Sequence, residues 1–280
     1  MSGVIPIIKE RRIEYIIKSL RCFDENPFNR EMQKNCILRI YKGSNEQTAF
    51  RGIAVQTLRK LGLIVGYGET IRLTSNAKII IDSEKFSMTK QVTRSVVMEI
   101  DSKKFSFIEL IRTDKAKTFS RLLSYLQKKN ESISVKSLHE RAKSWLDILS
   151  DVDLIDSRKS GIIKLNEINF NKATQDLSVN EKIPFFDKML LESYSSLHEY
   201  GTSGMVDIVD LRNSLATNYL REYRLILTKE QIDMLLEQTP KITNHYIITL
   251  GQPMGAEEQL LSYRGKYYRT INIKLLRDES

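Results

Sequence analysis

The run LRKLGLIVGYGETIRL, Leu58 to Leu73, constrains this chain more than any other stretch. Ala54, Val55, Leu58 and Leu61 recur at helical spacing, and Gly62 follows where a helix end favours a left-handed residue. Leu63-Ile64-Val65 and Thr70-Ile71-Arg72-Leu73 flank Gly66-Tyr67-Gly68-Glu69, which predicts two short strands joined by a flexible tip. Thr74 is placed to cap a following helix. Two helices are predicted upstream. One covers Lys9 to Phe23, with Ile13, Ile16, Ile17 and Leu20 on its apolar side. After the Asn26-Pro27 break, the next covers Asn29 to about Tyr41, with Met32, Cys36, Ile37 and Ile40 inward. Gly43-Ser44-Asn45 is a turn, and the third helix spans about Glu46 to Leu61. Three helices followed by a β-hairpin is the winged-helix arrangement, a variant of helix-turn-helix.

The same order returns twice. Residues 115–165 predict a helix from Lys117 to Lys128, a turn at Asn130-Glu131-Ser132, and a helix carrying Leu138, Ala142, Trp145, Leu146 and Leu149. Leu154-Ile155-Asp156 and Ile162-Ile163-Lys164-Leu165 follow as short strands about Gly161. In residues 183–276, Phe186, Met189, Leu190, Tyr194 and Leu197 mark one helix, and Ile208 to about Leu220 a second. A third starts at Thr228-Lys229-Glu230-Gln231, a capping box. Its hairpin is long: Tyr246 to Leu250, a loop from Gly251 to Gln259, and Tyr267 to Leu275. The expected class is therefore mainly α with small β-hairpins (α+β), as tandem winged-helix subdomains over 1–85 and 181–280 with a linking, winged-helix-like subdomain over 86–180. Residues 82–110 show no clean period, and the polar run Asn166 to Glu181 is the best candidate boundary.

Two hundred and eighty residues predict two or three domains. No apolar run reaches the roughly 18 residues of a membrane span, and the first ten residues lack signal-peptide features. Cys22 and Cys36 are the only cysteines, which fits a reducing cytoplasm and argues against a disulfide framework or cysteine-based zinc site. Charge is more informative. The net is +9, but residues 1–85 carry 15 bases and 9 acids, residues 86–180 carry 17 and 12, and residues 181–280 carry 12 and 14. Excess positive charge over the first two thirds attracts polyanions, nucleic acid first among them.

A helix in the major groove meets base edges with outward side chains near its N-terminus. On the third helix, Gln47, Thr48, Arg51 and Gln56 are so placed, and Gly52 would permit close backbone approach. Arg51 also falls near the angular position of Leu58, so that helix either enters a groove or packs on another domain. Arg30, Lys34, Lys42, Arg59, Lys60 and Arg72 are candidates for phosphate contact, which positions a protein without reading sequence. Lys9, Arg11 and Arg12 form either an arm for a groove or a first helical turn. In the third unit the equivalent helix carries Glu230, Asp233 and Glu237 against Lys229, ill suited to a phosphate-lined groove. Its hairpin, with Tyr263, Arg264, Lys266, Tyr267 and Arg269 around Gly265, is the better contact.

Catalytic signals are weak. His139, His198 and His245 have no metal-ligand spacing, and Gly66-x-Gly68 lacks the Gly-Lys-Ser/Thr of a phosphate loop. Glu99-Ile100-Asp101-Ser102-Lys103, with Asp82 upstream, contains the Asp-x-Lys found in metal-dependent nucleases, but such triplets are common.

Basic tandem helix–hairpin units joined by a smaller one resemble the target-recognition part of Type IIS restriction endonucleases. The resemblance rests on unit order over nearly the whole chain and on its length, and on no diagnostic motif. It implies sequence-specific binding of double-stranded DNA at a short asymmetric site by a monomer in the cytoplasm. Binding would need no cofactor; Mg2+ would belong to a separate nuclease domain absent from this chain. Two other readings stay open: a regulator of transcription or replication initiation built from the same units, and a winged-helix scaffold of a protein complex.

Overall fold

The computed structural model describes residues 6–113, 115–157, 161–177, 183, 185–198, 204–251 and 259–276. The fold is mostly helical with small antiparallel sheets. Helices α1 (Ile13–Glu25) and α2 (Arg30–Ile40) pack together, the second started by Asn29, whose side chain accepts from the Met32 amide. Cys22 and Cys36 are joined across this pair with their Cα atoms 5.6 Å apart, contrary to the expectation of free thiols. Helix α3 is π-helical over Gln47–Val55 and α-helical over Gln56–Lys60. It stops at Gly62, whose φ of +70° is left-handed as anticipated. Strands β1 (Ile64–Val65) and β2 (Arg72–Leu73) pair with Ile64 opposite Leu73. Gly66 is required at the tip: its φ is +83°, and a Cβ there would lie 2.2 Å from the Thr70 carbonyl oxygen.

Helix α4 (Ser75–Asp82) follows the cap position at Thr74. The Thr74 hydroxyl, however, donates to the Gly62 carbonyl at 2.9 Å instead of capping, which ties the new helix to the end of the previous one. Residues 82–110, which showed no period, are helical: α5 (Thr89–Ile100), a π turn over Asp101–Phe105, and α6 (Phe107–Arg112). Val92 through Val97 are all buried, Thr93, Arg94 and Ser95 included, so polarity does not mark the outward face of α5. Asp101 is buried at the start of α6, where it accepts from the Phe107 and Ile108 amides and, at 2.6 Å, from Trp145 Nε1. Burial outweighs these three donors and pushes its carboxyl up to about 6.

Helices α7 (Phe119–Lys129) and α8 (Val135–Asp151) pack on each other and lead to β3 (Ile155–Asp156) and β4 (Lys164–Leu165). The polar run beyond forms helix α9 (Glu167–Leu177), which packs on α5, with Asp176 accepting from Gln91 and Ser95. Residues 178–181 of the proposed boundary lie outside the described residues.

In the last part, α10 (Phe186–His198) packs on α11 (Ile208–Tyr223), and α12 (Lys229–Gln238) starts at the expected Thr228–Gln231 capping box. The long hairpin pairs β6 (Tyr246–Gly251) with β9 (Thr270–Leu275), and β5 (Val206–Asp207) adds to the other edge of β9. A second small hairpin, β7 (Leu261–Tyr263) and β8 (Lys266–Tyr268), stands between them in sequence. Its two-residue turn, Arg264-Gly265, has both φ angles positive, the type I′ geometry that matches strand twist.

Buried apolar side chains from Ile8 to Ile273 form one connected core. Helix α4 lies against α11, and polar contacts seal the seam: Thr217 Oγ1 donates to Asp82, Asn213 Nδ2 to the Leu73 carbonyl, and the Lys229 amide to Asn76. Among the described residues, no helix is long and apolar enough to cross a membrane.

Candidate nucleic-acid interface

Helix α3 buries Ala49, Phe50, Ala54 and Val55 and exposes Gln47, Thr48, Arg51 and Gln56. The π segment explains why Arg51 parts from Leu58. Its i→i+5 bonds widen each turn, so seven residues no longer return to one angular position. Leu58 is buried and Arg51 is not. Beside them Gly52 has room: a Cβ there would lie 3.4 Å from the Gln47 carbonyl and 3.6 Å from Lys9 Nζ. Lys9 is exposed, so the mid-helix surface is flanked by a solvent-facing cation.

The hairpin beyond α3 is braced by the helix itself. Arg59 Nη2 donates to the Gly66 carbonyl at 2.8 Å while its guanidinium lies 4.4 Å from the Tyr67 ring centroid. Tyr67 is left exposed at the tip. Lys60 Nζ donates to the Ile7 carbonyl, and burial, with Lys9 and Arg141 nearby, lowers its pKa.

Four other candidate cations, Arg72, Lys34, Arg11 and Arg12, are committed to acids. Arg72 bonds Asp207 at 2.6 Å and both oxygens of Asp210 at 3.1 and 3.0 Å, so it faces α11 and not solvent. Lys34 is held between Glu31 and Glu46, which raises its pKa, the Glu46 contact first. Arg30 is half-buried, and its Nε has no hydrogen-bond partner among the described residues. Of the N-terminal bases, Arg11 pairs with Asp147 at 2.9 Å; Arg12 chelates Glu10 and stacks 3.6 Å from the Tyr15 centroid. That segment is therefore laid against the protein rather than projecting as an arm.

In the third unit Arg269 bonds Asp207 and Tyr263 is buried, whereas Arg264, Lys266 and Tyr267 are exposed around the β7–β8 turn. The first turn of α12 is taken up by α4 through Asn76 and by Lys103, which pairs with Glu230. Arg212, one of the largest fully buried side chains, binds Asp233 through two nitrogens at 2.6 and 2.9 Å.

The carboxylates of the nuclease-like triplet do not converge. Asp101 is enclosed by Trp145 and the α6 amides, Glu99 accepts from Asn76, and Asp82 is bound by Thr217 beside Lys78 and Lys85. Among the described residues no three His, Cys, Asp or Glu side chains are grouped to hold a metal ion.

Sequence reasoning missed a cleft of about 1950 Å3 where α3, the α5–α6 turn, α7 and α12 meet. Lys103, Lys104, Lys115, Lys128 and Lys129 line it, all from the middle third whose excess of bases was the available signal. No known protein family, curated protein or solved structure matches this chain.

Proposed function

We propose that this chain binds double-stranded DNA, with its first helix–helix–helix–hairpin unit acting as a winged helix whose α3 enters the major groove. One observation carries the reading: Gln47, Thr48, Arg51 and Gln56 stand exposed on one helix while most neighbouring candidate cations are engaged with protein groups. Arg paired with guanine and Gln with adenine are the two-bond contacts that discriminate bases. Gly52 allows the helix backbone to approach, Lys9 supplies a phosphate contact beside it, and the β1–β2 hairpin, stiffened by Arg59, is the wing. The third unit contributes through the Arg264–Tyr267 turn, because the start of α12 is occupied by α4.

Under this reading the chain is the target-recognition region of a Type IIS restriction endonuclease, bound as a monomer to an asymmetric site and itself cutting nothing. The order of units and the excess of bases in residues 1–180 support it. Selection of bound duplexes from a random pool should return a consensus. Arg51→Ala and Gln56→Ala should each relax preference at one position by about 5- to 150-fold, the equivalent of roughly 1–3 kcal/mol per two-bond contact. Lys42→Ala, an exposed cation off the reading face, should weaken all duplexes alike. A pool that returns no consensus, or three variants that behave identically, would reject the groove assignment.

A further inference from the structure

The large cleft has a charge asymmetry that its raw composition hides. Its carboxylates on α5 and α12 are mostly engaged: Glu99 by Asn76, Glu230 by Lys103 and Lys229, Asp233 by Arg212 and Lys229. Glu237 accepts from the Arg264 amide, and Glu109 is held by Arg112. Glu131 is an exposed acid at the turn after α7. Facing these groups, Lys104, Lys115, Lys128 and Lys129 are all exposed and form no ion pair among the described residues. Lys129 lies 4.8 Å from the Tyr125 centroid, and Lys104 Nζ donates to the Lys60 carbonyl at 3.2 Å.

That last contact joins the cleft to helix α3. Lys9 Nζ lies 3.6 Å from where a Cβ at Gly52 would stand, and Lys104 Nζ, bonded to the Lys60 carbonyl, 3.3 Å from where one at Gly62 would, so cations flank α3 from its middle to its end at the cleft. The volume is well above the roughly 300–1,000 Å3 of small-molecule sites. It suits an extended polyanion.

We infer that the cleft is a second DNA contact, in which Lys104, Lys115, Lys128 and Lys129 hold the phosphate backbone of duplex flanking the segment read by α3. This rests on the DNA-binding reading above. Backbone neutralisation releases counterions, so each phosphate contact adds about −0.9 to the slope of log affinity against log salt.

The test compares the full chain with its Lys104→Ala/Lys115→Ala/Lys128→Ala/Lys129→Ala variant by fluorescence anisotropy over a salt series. The probes are mixed-sequence duplexes of about four helical turns and of about one turn, the length a single groove-bound helix unit spans. On the long duplex the variant should lose up to about 3.6 from the slope, which amounts to roughly 10²-fold in affinity over a fourfold salt change. On the short duplex the two proteins should match. Equal slopes on the long duplex would overturn the cleft assignment and leave the α3 reading standing. A lost slope with no selectable consensus would retain the cleft and reject sequence reading by α3. Failure of the unaltered chain to bind either duplex at low salt would overturn both.

Discussion

Replacing Arg72 by alanine separates a structural cation from a phosphate contact. Its guanidinium bridges Asp207 and Asp210 across 135 and 138 residues of sequence, tying the β1–β2 hairpin to the start of α11. The Arg72 side chain is 20% exposed, Asp207 17% and Asp210 43%. Removing one partner of a fully buried pair costs about 3–5 kcal/mol, because the other charge is left unpaired. Partial exposure lets water take up some of that penalty, so about 2–3 kcal/mol is expected here. Asp207 retains Arg269 at 3.2 Å and the Val209 amide, which limits its share; Asp210, whose pKa burial raises and Arg72 lowers, loses the larger part. Urea unfolding should show the midpoint falling with an unchanged m-value. Asp210→Asn on the Arg72→Ala background should recover part of the loss, giving a coupling energy in the double-mutant cycle. The salt slope of duplex binding should not change. A stability loss below about 0.5 kcal/mol, the size of an ordinary surface substitution, together with a slope reduced by about 0.9, would show Arg72 to be a phosphate contact and refute the clamp.

Asp101 sets a pH dependence. Its folded pKa, about 6, lies above the ordinary aspartate value of 3.8, so the folded state holds the proton more tightly and stability falls as pH rises from about 4 through 6. The contribution is about 3 kcal/mol; a urea midpoint flat across that window, after comparison with Asp101→Asn, would remove it. Gly66→Ala should destabilise by about 2 kcal/mol or more, since strained φ and a collision with the Thr70 carbonyl act together, whereas Gly68→Ala, with no atom within 4 Å, should cost about 1; thermal melting ranks the two. Reduction of the Cys22–Cys36 link should cost about 3 kcal/mol on the chain-entropy account of a loop closed across 14 residues, and thiol titration of the unreduced, unfolded chain should find no free cysteine.

The features legible in the sequence were the local ones. Gly62 and the Thr228–Gln231 box each specify a backbone conformation within a few residues, and each stands where expected, whereas the separate hairpin turning at Arg264-Gly265 was not foreseen. Helix α5 was hard to read because Thr93, Arg94, Ser95 and Glu99 are buried beside its valines, so residue polarity does not tell its inner from its outer face. Helix α9 reads as a candidate domain boundary because its polar side chains bond neighbours that are distant in sequence, Asp176 accepting from Gln91 and Ser95 among them. Charge partners are non-local in the same way. Nothing near Arg72 announces Asp207, and nothing near Lys103 announces Glu230. The exposed row on α3 was foreseeable except for Arg51, whose position depends on a π segment that no residue type in Gln47–Val55 specifies.

The seam between α4 and α11 bears on how the molecule can be dissected. Ile79 and Ile80 belong to the same hydrophobic body as Leu211 and Leu215, and Asp82 carries a bond from Thr217. Severing the polypeptide near residue 85 would strip water-excluding cover from both fragments and leave the carboxylates of Asp207 and Asp210 without their arginine. The three passes of helix and hairpin are thus not beads that can be unstrung; a fragment carrying α3 would have to be supplied with a substitute for the surface that α11 provides.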